Sequence, residues 1–365
     1  MPFCSLSPVN FRNLENKTID LLAPEVFFTG ENGQGKSNLL EALYYASYAS
    51  SFRTHAEGEM VRKGEEAMSV RTLFRSEDGG THTTSIIYGG GGKKMEKDGK
   101  MVRDRKELVN TMPCVLYSHD DLDFAVGSPE RRRFFIDQSL SMYDVLYIDV
   151  LRRYKRVLKS RNLCFKEGKY SLVDTYDLQL VQNGLEIQKK RRDAIFMFNQ
   201  IFGRLYEEVS GIGGVSIVYG ASWKPVDDSP LPRAEDVLCH LRERRQAEKA
   251  VGTTLSGPHR DRISFARSGE EFIPTASTGQ RRLVALALRT AQAVFYTKAT
   301  GKKPVLLMDD VLLELDPAKR QRITACLPPY DQLFCTFLPE EPYLRYRHAD
   351  TRIYRIADGS WTEEA

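Results

Sequence analysis

The chain has 365 residues, which suggests two domains or one domain carrying a large insertion. With 41% hydrophobic and 28% charged residues it can build a sizeable core, and this excludes wholesale disorder. A formal net charge of only +4 does not mark a nucleic-acid binder, so that class requires local clustering of basic residues.

The six cysteines, at 4, 114, 164, 239, 326 and 335, form no CxxC pair and match no zinc spacing, so scattered reduced thiols are expected. The start lacks a basic run followed by an apolar stretch, and no apolar run reaches membrane-spanning length. The expectation is a cytoplasmic protein without a signal peptide or membrane span.

In chain order, Glu25-Val26-Phe27-Phe28-Thr29 reads as a short apolar strand. It runs through a glycine-rich loop into a helix beginning Ser37-Asn38-Leu39-Leu40, with Leu39, Leu40 and Leu43 on one face. Residues 68–105 read as short strands with turns at Asp78-Gly79-Gly80 and Gly89 to Gly92; the second glycine run lacks a lysine and a following helix, and reads as a hairpin tip. From Pro129 the period changes to helical. Leu140, Tyr143, Tyr147, Val150, Tyr154 and Val157 recur in steps of three and four, and a second helical run spans about 172–209. Two long helices joined at Gly168 make an antiparallel arm that Gly211 to Gly214 terminates. A strand and a helix at about 234–250 follow. Then come a strand at Arg262–Ala266, a helix at Gln280–Thr297 and a buried strand at Pro304–Val311. The expected organisation is an α/β domain over 1–127 and 254–365, split by a helical insertion at 128–253.

Three elements carry chemistry. Gly30-Glu31-Asn32-Gly33-Gln34-Gly35-Lys36-Ser37 has the spacing G-x-x-x-x-G-K-S. Its glycines let successive amides converge on phosphate, Lys36 reaches the β- and γ-phosphates, and Ser37 ligates Mg²⁺. The apolar run Val305 to Met308 ends in Asp309-Asp310. Asp309 is the candidate Mg²⁺ ligand and Asp310 the group that accepts a proton from, or orients, the attacking water. Glu314-Leu315-Asp316-Pro317 then reads as a tight turn able to sit at a subunit boundary. Ser277-Thr278-Gly279-Gln280 opens an apolar helix and offers a second anion-binding helix start. One nucleotide rarely needs two such helix ends from one chain, so Ser277, Gly279 and Gln280 are expected to close over nucleotide held by a second copy. The bland alternative is an ordinary N-capped core helix.

In this order around a helical insertion, the three elements resemble the ABC-type ATPase heads (P-loop NTPases) of the SMC and DNA-repair class. Asn10 to Leu14, Ser51-Phe52-Arg53-Thr54, Ser128 to Asp137 and Thr254 to Asp261 extend the resemblance, over nearly the whole chain, to the RecF family. That resemblance implies binding of ATP and Mg²⁺, with Asn38, Arg12 and Arg53 joining the nucleotide site. It also implies slow, DNA-stimulated hydrolysis and an ATP-dependent homodimer that clamps double-stranded, gapped or junction DNA. Recombinase loading with RecR and RecO, and no membrane partner, belong to the same picture. Departures exist. The run Gln332 to Phe337 has no switch histidine, Asp310 stands where glutamate is common, and a single acid, Asp261, follows Arg260. His119-Asp120-Asp121 replaces a common Ser-Pro-Glu-Asp, which leaves that loop's role open, and His259 and Arg260 could serve packing or signalling.

Between residues 128 and 170, eleven Lys or Arg face five acids, a local excess larger than the charge of the whole chain. Arg131, Arg132, Arg133, Arg152 and Arg153 are the candidate DNA contacts, with Tyr143, Tyr147 and Tyr154 interleaved and Lys189-Lys190-Arg191-Arg192 as a second cluster. For any single arginine the alternative is a solvated helix face. The competing classes are an ABC transporter's energising subunit, a monomeric P-loop kinase and a nucleotide-sensing scaffold. The transporter usually carries Leu-Ser-Gly-Gly-Gln and leaves the basic arm without a purpose; the kinase does not need Ser277 to Gln280.

Overall fold

A strand with all five residues buried, Glu25–Thr29, lies inside a mostly parallel sheet, and the functional loops leave that sheet at one edge. The computed structural model describes residues 3–364 apart from 77, 78, 110, 228, 313 and 314. In chain order the elements begin with β1 (Phe3–Val9), β2 (Ile19–Asp20), β3 (Glu25–Thr29), α1 (Lys36–Tyr48), β4 (Ala67–Arg75), β5 (Thr81–Gly89), β6 (Gly92–Lys97), β7 (Lys100–Val102), α2 (Lys106–Val109) and β8 (Cys114–Tyr117). Next come α3 (Leu122–Val126), α4 (Pro129–Ser141), α5 (Val145–Lys166), α6 (Val173–Ser210), β9 (Val215–Gly220), α7 (Ala234–Val251), β10 (Arg262–Arg267), β11 (Glu270–Glu271) and α8 (Thr278–Thr300). The chain closes with β12 (Val305–Met308), α9 (Pro317–Ala325), β13 (Gln332–Phe337), β14 (Thr351–Ala357) and β15 (Ser360–Glu364).

Two compact units form, residues 1–121 with 292–365 and residues 122–291. The second boundary falls well beyond the expected residue 253. The reason is non-local: β10 pairs with β9 from Arg262↔Gly220 to Arg267↔Val215, which ties these residues to the helical unit.

In the first unit, an antiparallel sheet runs β2-β1-β4-β5-β6-β7 and a second sheet runs β15-β14-β3-β13-β12-β8. The latter is parallel from β14 to β8, with β15 antiparallel at its edge. Strands β3, β8, β12 and β13 are buried along their whole length, as strands covered on both faces must be. Because they run parallel, their carboxyl ends share one edge, where ligand loops gather in open α/β sheets. Leu39, Leu40 and Leu43 are buried with Phe28 and Phe334 in one apolar cluster, which anchors α1 by the expected face. Gly90-Gly91 joins β5 to β6, the expected hairpin tip. Asp78 of the other expected turn lies outside the described residues.

In the second unit the helical period from Pro129 predicts one long helix before the turn at Gly168, and two form. Asp144 breaks the run by capping α5, its carboxylate accepting from Tyr147 N at 3.2 Å. Helices α5 and α6 lie antiparallel, paired at Asp144–Lys190, Arg153–Asn183 and Arg161–Asp177. Gly211, at φ 75°, ends α6 in a left-handed cap. Among the described residues no helix is long and apolar enough to cross a membrane.

Candidate nucleotide-binding site

The loop between β3 and α1 is shaped from both sides. Gly30 donates its N–H to the Phe337 carbonyl at 3.2 Å, and a Cβ on Gly30 would strike the carbonyl of Ile356. Gly35 caps α1 at φ 119°, with Asn13 Oδ1 where a larger residue would press. Asn38 N and Leu39 N donate to the Gly35 carbonyl at 3.1 Å, and the amides that precede them, with the helix dipole, make an anion site. Lys36 is only 3% exposed; its ammonium donates to the carbonyls of Gly30 at 2.6 Å and Glu31 at 3.0 Å. Asn32 and Gly33 lie exposed at the loop's tip.

Ser37 donates its hydroxyl to Asp309 Oδ1 at 2.7 Å, so the structure brings the two candidate Mg²⁺ ligands together. Strand β12 ends at Met308, three residues earlier than expected, because the chain turns out of the ladder: Asp310 takes φ 52°. Burial pushes the Asp309 carboxyl up to about 6, the Asp310 charge adds to this, and the Ser37 hydroxyl with Arg53 and Lys36 opposes it. A carboxylate so poorly compensated suits an added cation. Among the described residues no three His, Cys, Asp or Glu side chains cluster as a metal site. Ser37 and Asp309 could therefore hold Mg²⁺ only together with phosphate and water, the manner usual for this ion.

Several residues of this site escape sequence reasoning. Glu41, fully buried on α1, accepts Arg12 Nε at 2.9 Å, Arg12 Nη2 at 2.8 Å and the Ser51 hydroxyl at 2.5 Å. It also attracts Arg53 at 3.4 Å, and Arg53 donates to Asn38 Oδ1 at 2.6 Å. Asn38 in turn donates to Asn13 Oδ1 at 2.7 Å. Both expected nucleotide-site arginines thus stand beside α1, oriented by one carboxylate. The signal for Glu41 was its place inside the apolar run Leu39 to Leu43. The turn between β14 and β15 braces the loop from behind: Gln34 accepts from Asp358 N at 2.6 Å and, by its carbonyl, from Gly359 N at 2.8 Å. Thr336 at the end of β13 contacts Asp310.

Residues 5–357 match the family described as RecF/RecN/SMC N terminal domain. A DNA replication and repair protein RecF of Treponema pallidum (strain Nichols) is 49% identical over 360 residues, covering 98% of this chain and all of that one. The chain belongs to the RecF family. A RecF of Moorella thermoacetica (strain ATCC 39073 / JCM 9320) is 34% identical over 345 residues, 92% of this chain and 90% of the relative. The solved structure of the recombination mediator protein RecF-ATP in the RecFOR pathway superposes with TM-score 0.90 at 28% identity, over 100% of this chain and 98% of that one. An Smc head bound to the C-terminal winged-helix domain of ScpA gives TM-score 0.59 at 16% identity, a likeness of fold. The architecture is an ABC-type ATPase head.

Ser277 N donates to Gln280 Oε1 at 2.7 Å and Gln280 N to Ser277 Oγ at 3.2 Å, a reciprocal capping box at the start of α8. Ser277 and Gly279 are exposed, and a Cβ on Gly279 would meet open space. Asp316 caps α9 through Lys319 N at 2.9 Å, while Glu314 lies outside the described residues. Asp121 accepts from Ser118 N at 2.9 Å and fixes the His119 turn.

The basic arm is less available than its charge count suggests. Arg132 donates to the Ala125 carbonyl at 3.4 Å and Arg133 to the Asp261 carbonyl at 2.8 Å, both half-buried; Arg131 is exposed near Asp123. Arg152 pairs loosely with Asp149, and exposed Arg153 donates to Asn183. Arg161 and Arg191 are buried ion-pair centres, and Lys190 pairs with Asp144. Tyr147 and Tyr154 are buried, donating to Asp137 at 2.7 Å and lying 2.7 Å from His259 Nδ1, so neither can stack on a base. The basic residues that α5 leaves exposed are Arg153, Lys155, Arg156, Lys159 and Lys166.

The run Gly257 to Asp261 proves to be a structural hub. Asp261 is fully buried and accepts from Arg191, Gln188 Nε2, the Tyr219 hydroxyl and Ser222 N, all within 2.9 Å. His259 sits between Tyr154 and the Thr254 carbonyl, and burial foremost pushes its pKa down to about 4. A neutral ring that donates Nε2–H to Thr254 accepts the Tyr154 proton at Nδ1. Packing, rather than an exposed signalling role, is what the surroundings of His259 provide.

Proposed function

We propose that this chain is an ATP-dependent DNA-binding protein of recombinational repair, a weak ATPase whose ATP-bound form dimerises on gapped or junction DNA and is released by hydrolysis. The observation that carries the reading is the Ser37–Asp309 contact of 2.7 Å at the mouth of a complete phosphate loop. A related RecF structure described with ATP supports ATP as the nucleotide, and its RecFOR pathway supports RecO and RecR as partners with a recombinase downstream.

In this reading Lys36 and the amides of residues 31–37 hold the β- and γ-phosphates, with Arg12 and Arg53 at the flank. Ser37 and Asp309 would hold Mg²⁺, which would supply charge neutralisation at the phosphates. Asp310 accepts the proton of the attacking water, and its short side chain suits slow turnover. Ser277, Gly279 and Gln280 of a second copy complete the site; the exposure of Ser277 and Gly279 and the open space at Gly279 are compatible with an incoming phosphate. Glu314 and Asp316 would lie at the subunit boundary.

For DNA, residues 152, 155, 156 and 159 share one face of α5. Fluorescence anisotropy with gapped duplex tests the reading. ATP should tighten binding, and Lys155→Ala/Arg156→Ala/Lys159→Ala should weaken it while flattening the salt slope by roughly 0.9 per lost phosphate contact. An unchanged slope places the DNA surface off α5, and affinity indifferent to ATP sinks the gating.

A further inference from the structure

We propose that Thr336 is a positioning residue for hydrolysis, fixing both the backbone and the carboxylate of Asp310; this rests on the reading of Asp310 as the proton acceptor. Thr336 lies in β13, between β3 and β12, on a strand whose six residues are all buried, and is 4% exposed. Among Phe334, Cys335 and Phe337, valine would fill the same volume without a hydroxyl, and a buried hydroxyl costs stability unless it is hydrogen-bonded. Here residue 310 satisfies it at both ends. The Thr336 oxygen accepts from Asp310 N at 2.8 Å, and lies 2.7 Å from Asp310 Oδ1. Its other candidate acceptors, Met308 O at 3.4 Å and Asp309 Oδ1 at 3.5 Å, are far longer, so the single hydroxyl proton goes to Asp310.

This two-point clamp explains the backbone of Asp310. A non-glycine residue at φ 52° persists only where its surroundings hold it. It also separates two adjacent carboxylates: the loop hydroxyl of Ser37 engages Asp309, and the strand hydroxyl of Thr336 engages Asp310. Each of the two adjacent carboxylates is thereby oriented by a hydroxyl of its own.

The test compares steady-state ATP hydrolysis and equilibrium binding of a fluorescent ATP analogue by the full chain, as wild type, Thr336→Val, Thr336→Ser and Asp310→Asn. Thr336→Val should lower kcat about tenfold or more, a cost in keeping with a small displacement of a catalytic group. KM and nucleotide affinity should stay within about twofold, and Thr336→Ser should recover kcat to within about threefold of wild type. Unchanged kcat in Thr336→Val, an equal loss in Thr336→Ser, or lost nucleotide binding in Thr336→Val would each overturn the proposal. Wild-type hydrolysis by Asp310→Asn would overturn the assignment of Asp310 and the proposal with it. An inactive Asp310→Asn beside a fully active Thr336→Val would overturn the proposal alone.

Discussion

Lys36→Met is expected to reduce ATP affinity by about tenfold to a hundredfold, the value of one charge-assisted hydrogen bond to phosphate, and hydrolysis by a further 10² or so. The fold should survive. Lys36 is buried as a whole, and methionine replaces its aliphatic stem closely in volume. What disappears is the ammonium, which bridges the carbonyls of Gly30 and Glu31. Titration calorimetry with ATP, beside a thermal melt, separates the two effects. Wild-type affinity in the variant would contradict the assignment of this loop as the phosphate site.

The second large effect is on stability. Arg191→Met should destabilise the second unit by about 3–5 kcal/mol, the cost of stranding buried carboxylates. Arg191 is bidentate to Asp137, at 2.9 and 2.8 Å, and donates to Asp261 at 2.9 Å and to the Pro258 carbonyl at 2.7 Å. Burial works against its charge, and the carboxylates more than offset this, holding the guanidinium well above its ordinary range. Adding Asp261→Asn should cost less in the Arg191→Met background than in wild type, since the charge it removes is then unpaired. Urea denaturation followed by circular dichroism reads both; a loss below about 1 kcal/mol for Arg191→Met would contradict the hub.

How much of this was legible depended on locality. The phosphate loop and the Asp309-Asp310 pair could be read because each is contiguous, and parallel strands then bring Ser37 and Asp309 together without further instruction. Gln34 meets Asp358, and Asn38 meets Asn13, through pairings that no local pattern announces. The domain boundary moved for the same reason: the pairing of β9 with β10 is a long-range fact. The arm illustrates a different gap. Counting its charges ignored their phase. Arg161 continues the apolar series Tyr147, Val150, Tyr154, Val157 in steps of three and four, and Arg191 lies in the series Ile187, Ala194, Ile195, Phe198. Both were interior positions by helical period, and both are buried ion pairs. Glu41 carried the same signal within the run Leu39 to Leu43.

On the proposed reading, ATP completes a site shared between two copies, with Lys36 and Ser37 from one and Ser277 and Gly279 from the other. Sedimentation velocity of wild type, Lys36→Met and Ser277→Arg, each with and without saturating ATP and Mg²⁺, tests it most directly. The expected result is a dimer for wild type with ATP and monomers for wild type without ATP and for both variants in either condition. A wild type that stays monomeric with ATP, or a Ser277→Arg protein that dimerises as wild type does, would contradict it.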